Sequence, residues 1–293
     1  MLTDDALSQL WRELGIPGVI DVHTHFLPEP VMRSVWDYFD NAGANYGVEW
    51  PIAYRWDDDA RLQHLRAMGV KRFTALVYAH KPGMADWLNT WGLDFADRVP
   101  DCLPTATFYP EPGVEDYLER ALVRGARVLK LHLQVGDIDP RDPLLDPVWG
   151  MLSDAGVPVV THCGSAPLQG RFTGPAAIGE VLRRFPGLRI IVAHLGAGEF
   201  DAFLDLAEKR ANTWLDTTMA LTDFMQERAP FPVERLPQLR ALSGQGKILF
   251  GSDFPNIPYP YAHQVEVLMD HGLDMPEVMW RAPGRVLEGL GSG

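Results

Sequence analysis

The chain has 293 residues, 46% hydrophobic and 22% charged, the composition of an ordinary globular protein long enough for one α/β barrel. A net charge of −13 argues against nucleic acid or an anionic membrane surface as partner, because both select Lys and Arg patches. Two cysteines, Cys102 and Cys163, are too few and too distant for a disulfide framework or a Cys-based zinc site, and they suit a reducing compartment. Neither a signal peptide nor an apolar run of about eighteen residues is visible, so a cytoplasmic protein without a membrane span is expected.

Taken in chain order, a short helix is expected at 4–14, followed by a strand over Val19–Phe26. Seven further strand-like runs follow: Arg72–Ala79, Cys102–Tyr109, Arg127–Leu133, Pro158–Gly164, Arg189–Gly196, Thr213–Thr218 and Lys247–Pro255. Most are apolar with little alternation, as parallel strands buried on both faces should be. Helices are expected between them. Asp57–Met68 opens on three Asp residues and stops at Gly69, Leu144–Ala155 stops at Gly156, and Pro175–Phe185 starts with Pro in the first turn. Val114–Val123, Glu199–Arg210, Ala262–His271 and Pro276–Leu290 complete the set. Eight alternations predict a (β/α)8 TIM barrel, as one domain over 1–293. The competing open, doubly wound sheet would favour a Gly-rich phosphate loop after the first strand, where His23-Thr24-His25-Phe26 stands instead. Residues 28–55, rich in aromatics, read as a loop insertion over the active face. Those aromatics would serve equally as a roof or as a homodimer interface.

The pattern that carries chemistry is Asp21-Val22-His23-Thr24-His25. On a regular strand these alternate residues share a face, and two imidazoles there can bind one metal ion. His80, His132, His162 and His194 also fall at the ends of predicted strands, where barrels do their chemistry. Asp253, in Gly251-Ser252-Asp253-Phe254-Pro255, is the acidic member; the prolines that follow delay any helix it would otherwise cap.

These pieces occur together with Lys130-Leu131-His132, Val160-Thr161-His162-Cys163-Gly164, Val192-Ala193-His194-Leu195-Gly196 and Trp214-Leu215-Asp216. In that order they resemble the amidohydrolase superfamily, and within it the branch containing aminocarboxymuconate-semialdehyde decarboxylase and related metal-dependent hydrolases. The resemblance implies one divalent metal, usually zinc, on His23, His25, His162 and Asp253. It also implies His194 as the residue that orients the water on that metal, and Asp253 as proton acceptor. A second metal bridged by a carbamylated Lys130 is the alternative. However, His132 lies two residues nearer the strand end and would place Lys130 a layer deeper. His132 is then a pocket residue or part of the barrel core.

Asp216 is a candidate partner for a histidine, and Tyr78, His80, Arg171 and Trp36 are candidates for contact with a small-molecule substrate. The expected reaction is hydrolysis of an amide, ester or lactone. Its rivals are non-oxidative decarboxylation of a small aromatic or unsaturated acid, and metal binding without catalysis.

Overall fold

The computed structural model describes residues 1–288. Nine parallel strand segments occupy eight barrel positions: β1 Val19–Asp21, β2 Val70–Thr74, β3 Cys102–Leu103, β4 Thr105–Thr107, β5 Val128–His132, β6 Val159–His162, β7 Ile190–Val192, β8 Thr213–Asp216 and β9 Ile248–Leu249. They hydrogen-bond in the orders β1-β2-β3 and β4-β5-β6-β7-β8-β9. The break between the two sheets falls inside the third position. Pro104 separates β3 from β4 there, and proline has no N–H to give to a ladder. The other seam joins β9 to β1: Val22 N–H donates to Phe250 O (2.9 Å), His25 N–H donates to Phe254 O (2.7 Å), and Thr24 bridges Phe254. Eight strand positions closed in this way make the (β/α)8 barrel.

The strands are shorter than their apolar runs. Beyond the regular ladders, buried threonines supply hydrogen bonds that the main chain no longer makes. Thr24 Oγ1 donates to Thr74 O, and the hydroxyls of Thr105 and Thr107 accept from Ala75 N–H and Ala79 N–H. These bonds take up main-chain groups where the strands curl out of the ladder. Apolar side chains from Leu76, Leu103, Val128, Val160, Ile191 and Leu249 fill the barrel interior and pack on Ala282, Val286 and Leu287. Arg189, just before β7, donates to Val286 O, so this C-terminal segment covers the end away from the histidines. The larger apolar layer lies between the strands and the surrounding helices. Among the described residues no helix is long and apolar enough to cross a membrane.

The helices include α1 Leu7–Glu13, α2 Glu29–Asp40, α3 Ala42–Tyr46, α4 Asp58–Ala67 and α5 Ala85–Arg98. Asp57 caps α4 by accepting from Ala60 N–H at 2.8 Å. Several features differ from the sequence expectation, among them an unexpected helix over Leu236–Gly244. The stretch 28–55 is a loop only in its second part, 47–55: Pro28 initiates α2, whose Met32 is buried, and α3 packs beside it. The helix α5 has no counterpart among the expected elements, because Asn89 and Gly92 interrupt its apolar face. Gly92 is what lets it reach the barrel, since a Cβ there would stand 3.0 Å from Thr105 O. The C-terminal segment is π-helical over Glu277–Arg281 and Gly284–Glu288; the expected helix end at Leu290 lies outside the described residues.

Gly251 sits where β9 meets the histidines, and a Cβ there would stand 2.3 Å from Thr218 Oγ1 and 2.7 Å from His23 Cβ. Gly251→Ala should therefore cost about 1–3 kcal/mol of stability through overpacking. A denaturant melt with an unchanged midpoint would show that the seam yields more easily than this packing implies.

Candidate metal and catalytic centre

His23 and His25 reach one cavity because the strand stops being regular just before them. β1 ends at Asp21 and the chain bends at Val22. Val22 enters the barrel core, while Asp21 turns to the opposite side of the seam. The expectation that Asp21 shares the face of His23 is thus corrected, since period-two alternation holds only within a regular ladder. The buried Asp21 carboxylate accepts from Ser252 Oγ–H (2.6 Å), Tyr261 O–H (2.8 Å), Ser252 N–H (3.1 Å) and His23 N–H (3.1 Å). Burial pushes its pKa up to about 7 despite these donors. It clamps the two segments that carry His23 and Asp253.

Each imidazole is oriented by a partner on its far nitrogen. His23 Nδ1–H donates to Asp216 Oδ2 (2.9 Å), His25 Nδ1–H to Leu76 O (2.8 Å) and His194 Nδ1–H to Thr218 O (3.0 Å). This directs the Nε2 lone pair of all three away from these partners, the arrangement that metal-ligating histidines adopt, with that of His23 taken by Lys130 Nζ. His194 and Leu195 hold left-handed backbone angles, φ 58° and 53°, with His194 N–H bonded to Asp216 Oδ1 at 2.9 Å. Asp253 is also left-handed, at φ 69°, and its N–H donates to His23 O at 2.8 Å.

His23, His25 and Asp253 form a group whose ligand atoms all lie within 4.8 Å of one another. The decisive contact is His25 Nε2 to Asp253 Oδ1, at 3.0 Å. With Nδ1–H committed to Leu76 O, both atoms are acceptors in the neutral imidazole. Two acceptors at that distance require a cation between them, either a proton or a metal. The donor set, imidazole nitrogens with one carboxylate oxygen, suits a borderline divalent ion such as zinc.

The remaining histidines lie beside this group. His132 and His162 stack with centroids 4.1 Å apart, and His162 lies 4.7 Å from His194. His162 Nε2–H donates to Ala166 O at 3.1 Å, so its ring is directed at the main chain and stays outside the group of three. His132 Nδ1 accepts from Val135 N–H at 3.2 Å. Lys130 is buried, with Nζ 2.9 Å from His23 Nε2. Burial lowers its pKa to about 8. Burial and the Lys130 charge together hold His23 down to about 3. Burial acts against the Asp253 charge, but the His25 contact and the facing imidazoles outweigh it and keep the carboxyl ionised well below its usual range.

A cavity of about 460 Å³ opens above these groups, and Tyr78, His80 and His132 line it with them. Tyr78 meets His25 edge-on at 5.7 Å. Two of the expected substrate contacts fall elsewhere. Trp36 is outside the lining; its Nε1–H donates to Asn256 Oδ1 (3.2 Å), and Arg55 and Arg61 lie over its ring. Arg171 is exposed, 4.9 Å above the Phe172 ring. Of the residues that form the upper wall, Phe39 and Trp50 could be suspected from sequence only as a general aromatic richness after the first strand, and Met219 and Met225, after β8, carried no sequence signal.

A parallel barrel with an imidazole and carboxylate cluster at the C-terminal ends of its strands is the architecture of a metal-dependent enzyme. The family model described as amidohydrolase matches residues 20–281, and the chain belongs to that family of metal-dependent enzymes. An uncharacterized TIM-barrel protein from Bordetella bronchiseptica is 18% identical, with a TM-score of 0.73, over 94% of this chain and 100% of that one. A putative 2-pyrone-4,6-dicarboxylic acid hydrolase from Pseudomonas putida is 17% identical (TM-score 0.61; 94% and 99% covered). A 5-carboxyvanillate decarboxylase from Novosphingobium aromaticivorans, complexed with manganese and 4-hydroxy-3-methoxy-5-nitrobenzoic acid, is 13% identical (TM-score 0.61; 94% and 97% covered). A search of the curated proteins found no match.

Two outcomes are expected. Asp216→Asn should weaken divalent metal binding about 10–100-fold by releasing the His23 ring, measured by competition with a chelator; unchanged affinity would remove His23 from the ligand set. The imidazoles of His23, His132, His162 and His194 are all held below their ordinary 6.5 by burial. The unfolded chain takes up their protons near pH 6.5 and the folded chain resists, so metal-stripped protein should lose stability as pH falls from about 6.5 toward 3. Thermal melts that stay flat across this window would contradict neutral buried imidazoles.

Proposed function

We propose that this chain is a hydrolase that adds water to the carbonyl carbon of an ester, lactone or amide in a small molecule. The observation that carries the reading is the His25 Nε2 to Asp253 Oδ1 contact of 3.0 Å inside a histidine-lined cavity. His23, His25 and Asp253 would hold one divalent ion, with zinc as the first choice. His162 is the fourth ligand implied by family resemblance, and it would have to give up its bond to Ala166 O. When bound, such an ion supplies an acidified water and polarises the substrate carbonyl.

The protein residues would divide the remaining work. Asp253, ionised and partly open to the cavity, accepts the proton of the attacking water at a carboxylate oxygen. His194, neutral and with Nε2 free, hydrogen-bonds that water and returns a proton to the leaving oxygen or nitrogen. Lys130 donates to His23 Nε2 from below and would release it when the ion binds. His132 and His162 wall the cavity on the strand-five side. Decarboxylation remains the competing chemistry for the same groups. The placement of Arg171 on the surface weighs against it, because that guanidinium was the sequence's candidate for holding a departing carboxylate.

The test combines elemental analysis of protein purified without chelator and turnover on a panel of esters, lactones, amides and aromatic acids. About one divalent ion per chain with ester or lactone turnover is the expected result. About two per chain would bring in a carbamylated Lys130, and turnover confined to carboxylic acids would replace hydrolysis by decarboxylation. Asp253→Ala should lose both metal and activity. His194→Asn should retain metal while kcat falls about 100-fold or more, in the range that positioned proton transfer supplies.

A further inference from the structure

The cavity has two unlike halves. Its base is polar and charged, with the histidines, Lys130 and Asp253. Its upper wall is mainly apolar, built by Val31, Val35 and Phe39 on α2, by Trp50, and by Met219 and Met225 from the segment after β8, with the uncharged polar groups of Ser34, Tyr38, Tyr46 and Asn256 among them. Among the described lining residues there is no guanidinium, and the one ammonium group, Lys130, sits at the base against His23.

The arginines near the mouth are engaged elsewhere, and Lys81, exposed beside His80, stands outside the described lining. Arg55 forks onto Asp40 at 2.5 and 2.7 Å and lies over Trp36. Arg61 is buried, pairs with Asp58 and covers Phe26 and Trp36. Arg33 reaches Glu29 at 3.7 Å, and Arg171 rests on Phe172. At the rim His80 is held below its ordinary pKa by burial and by Lys81, so it is neutral near pH 7. The chain as a whole carries −13.

A carboxylate entering the upper half would lose its water and meet no cation among the described lining residues there; an apolar ring would be drawn in by burial against Phe39 and Trp50. We infer that the substrate is uncharged outside its reacting carbonyl: an aromatic or branched aliphatic ester or lactone with no separate carboxylate. This rests on the reading of the site as a hydrolase. It also sets the chain apart from the putative 2-pyrone-4,6-dicarboxylic acid hydrolase and the 5-carboxyvanillate decarboxylase, which are named for carboxylated compounds.

The experiment uses matched probes at pH 7.5. The metal-loaded enzyme is assayed with the neutral lactone dihydrocoumarin and with its 6-carboxylate. The metal-stripped full chain, checked by circular dichroism, is titrated calorimetrically with unreactive indole and indole-5-carboxylate, so that no carboxylate can gain from an ion. The expected result is a preference in kcat/KM of about 100-fold for the neutral lactone, and binding of indole about 10-fold or more tighter than its carboxylate.

Equal or better turnover and binding of the carboxylates would overturn the inference while leaving hydrolysis intact. Tight, selective binding of indole without turnover of either lactone would sustain the inference and defeat the hydrolase reading. A gain of function completes the test. Ser34 lines the mouth from the exposed face of α2, where a long side chain has room. Ser34→Arg should narrow the preference about 10-fold by binding the carboxylate. An unchanged preference in a folded variant would mean that this cavity does not select the ligand.

Discussion

The seam between the first and last strand positions is the constraint on which everything else in this molecule depends. Asp21 and Ser252 are 231 residues apart, yet one buried carboxylate binds the hydroxyl and the amide of Ser252, the amide of His23 and the hydroxyl of Tyr261. An acid buried this deeply is costly unless its lone pairs are filled, and here four donors fill them. The same seam carries the main-chain bonds from Val22 to Phe250 and from His25 to Phe254. Closure of the barrel and assembly of the site are therefore one event: without it, His23 and His25 have no Asp253.

The second layer of organisation is the fixing of ring nitrogens. Leu76 O, Asp216 and Thr218 O each take one imidazole proton, and each thereby turns a lone pair into the cavity. Asp216 does this for His23 with one oxygen and holds the His194 amide with the other, so one carboxylate couples two strands of the site. The result is a concentration of acceptors facing one another in a buried space. Such an arrangement is unfavourable on its own and favourable around a cation, and on that ground a structural cluster of histidines can be told from a binding centre.

Above that base, α2 and α3 decide what can enter. Phe39, Tyr46 and Trp50 pack on one another with centroids 4.9–6.3 Å apart, which gives the upper wall its stiffness. The arginines on the same segment are paired outward, and Arg61 fastens the wall to the barrel through Trp36 and Phe26. Trp36 consequently shapes the cavity through Asn256, whose Oδ1 it binds and which does line the space.

Much of this was open to reading from sequence alone. Apolar runs buried on both faces alternate with helices, and that periodicity by itself defined the barrel. The His23-Thr24-His25 spacing and the position of Asp253 after the last run marked the centre, because strand ends are where such barrels place chemistry. Other features were decided only by tertiary structure. Asp21 left the histidine face because alternation fails at a bend, and residues 29–46 became helical where burial of Met32 and the aromatic contacts repaid their ordering. The helix α5 formed against β4 despite a diluted pattern. Arg171 and Trp36 turned away from the cavity because a loop cation and an indole go to whatever partners folding brings beside them. Local spacing determines which residues share a face. Which groups meet across two hundred residues, and which ring nitrogen is left free, depends on contacts that exist only once the barrel has closed.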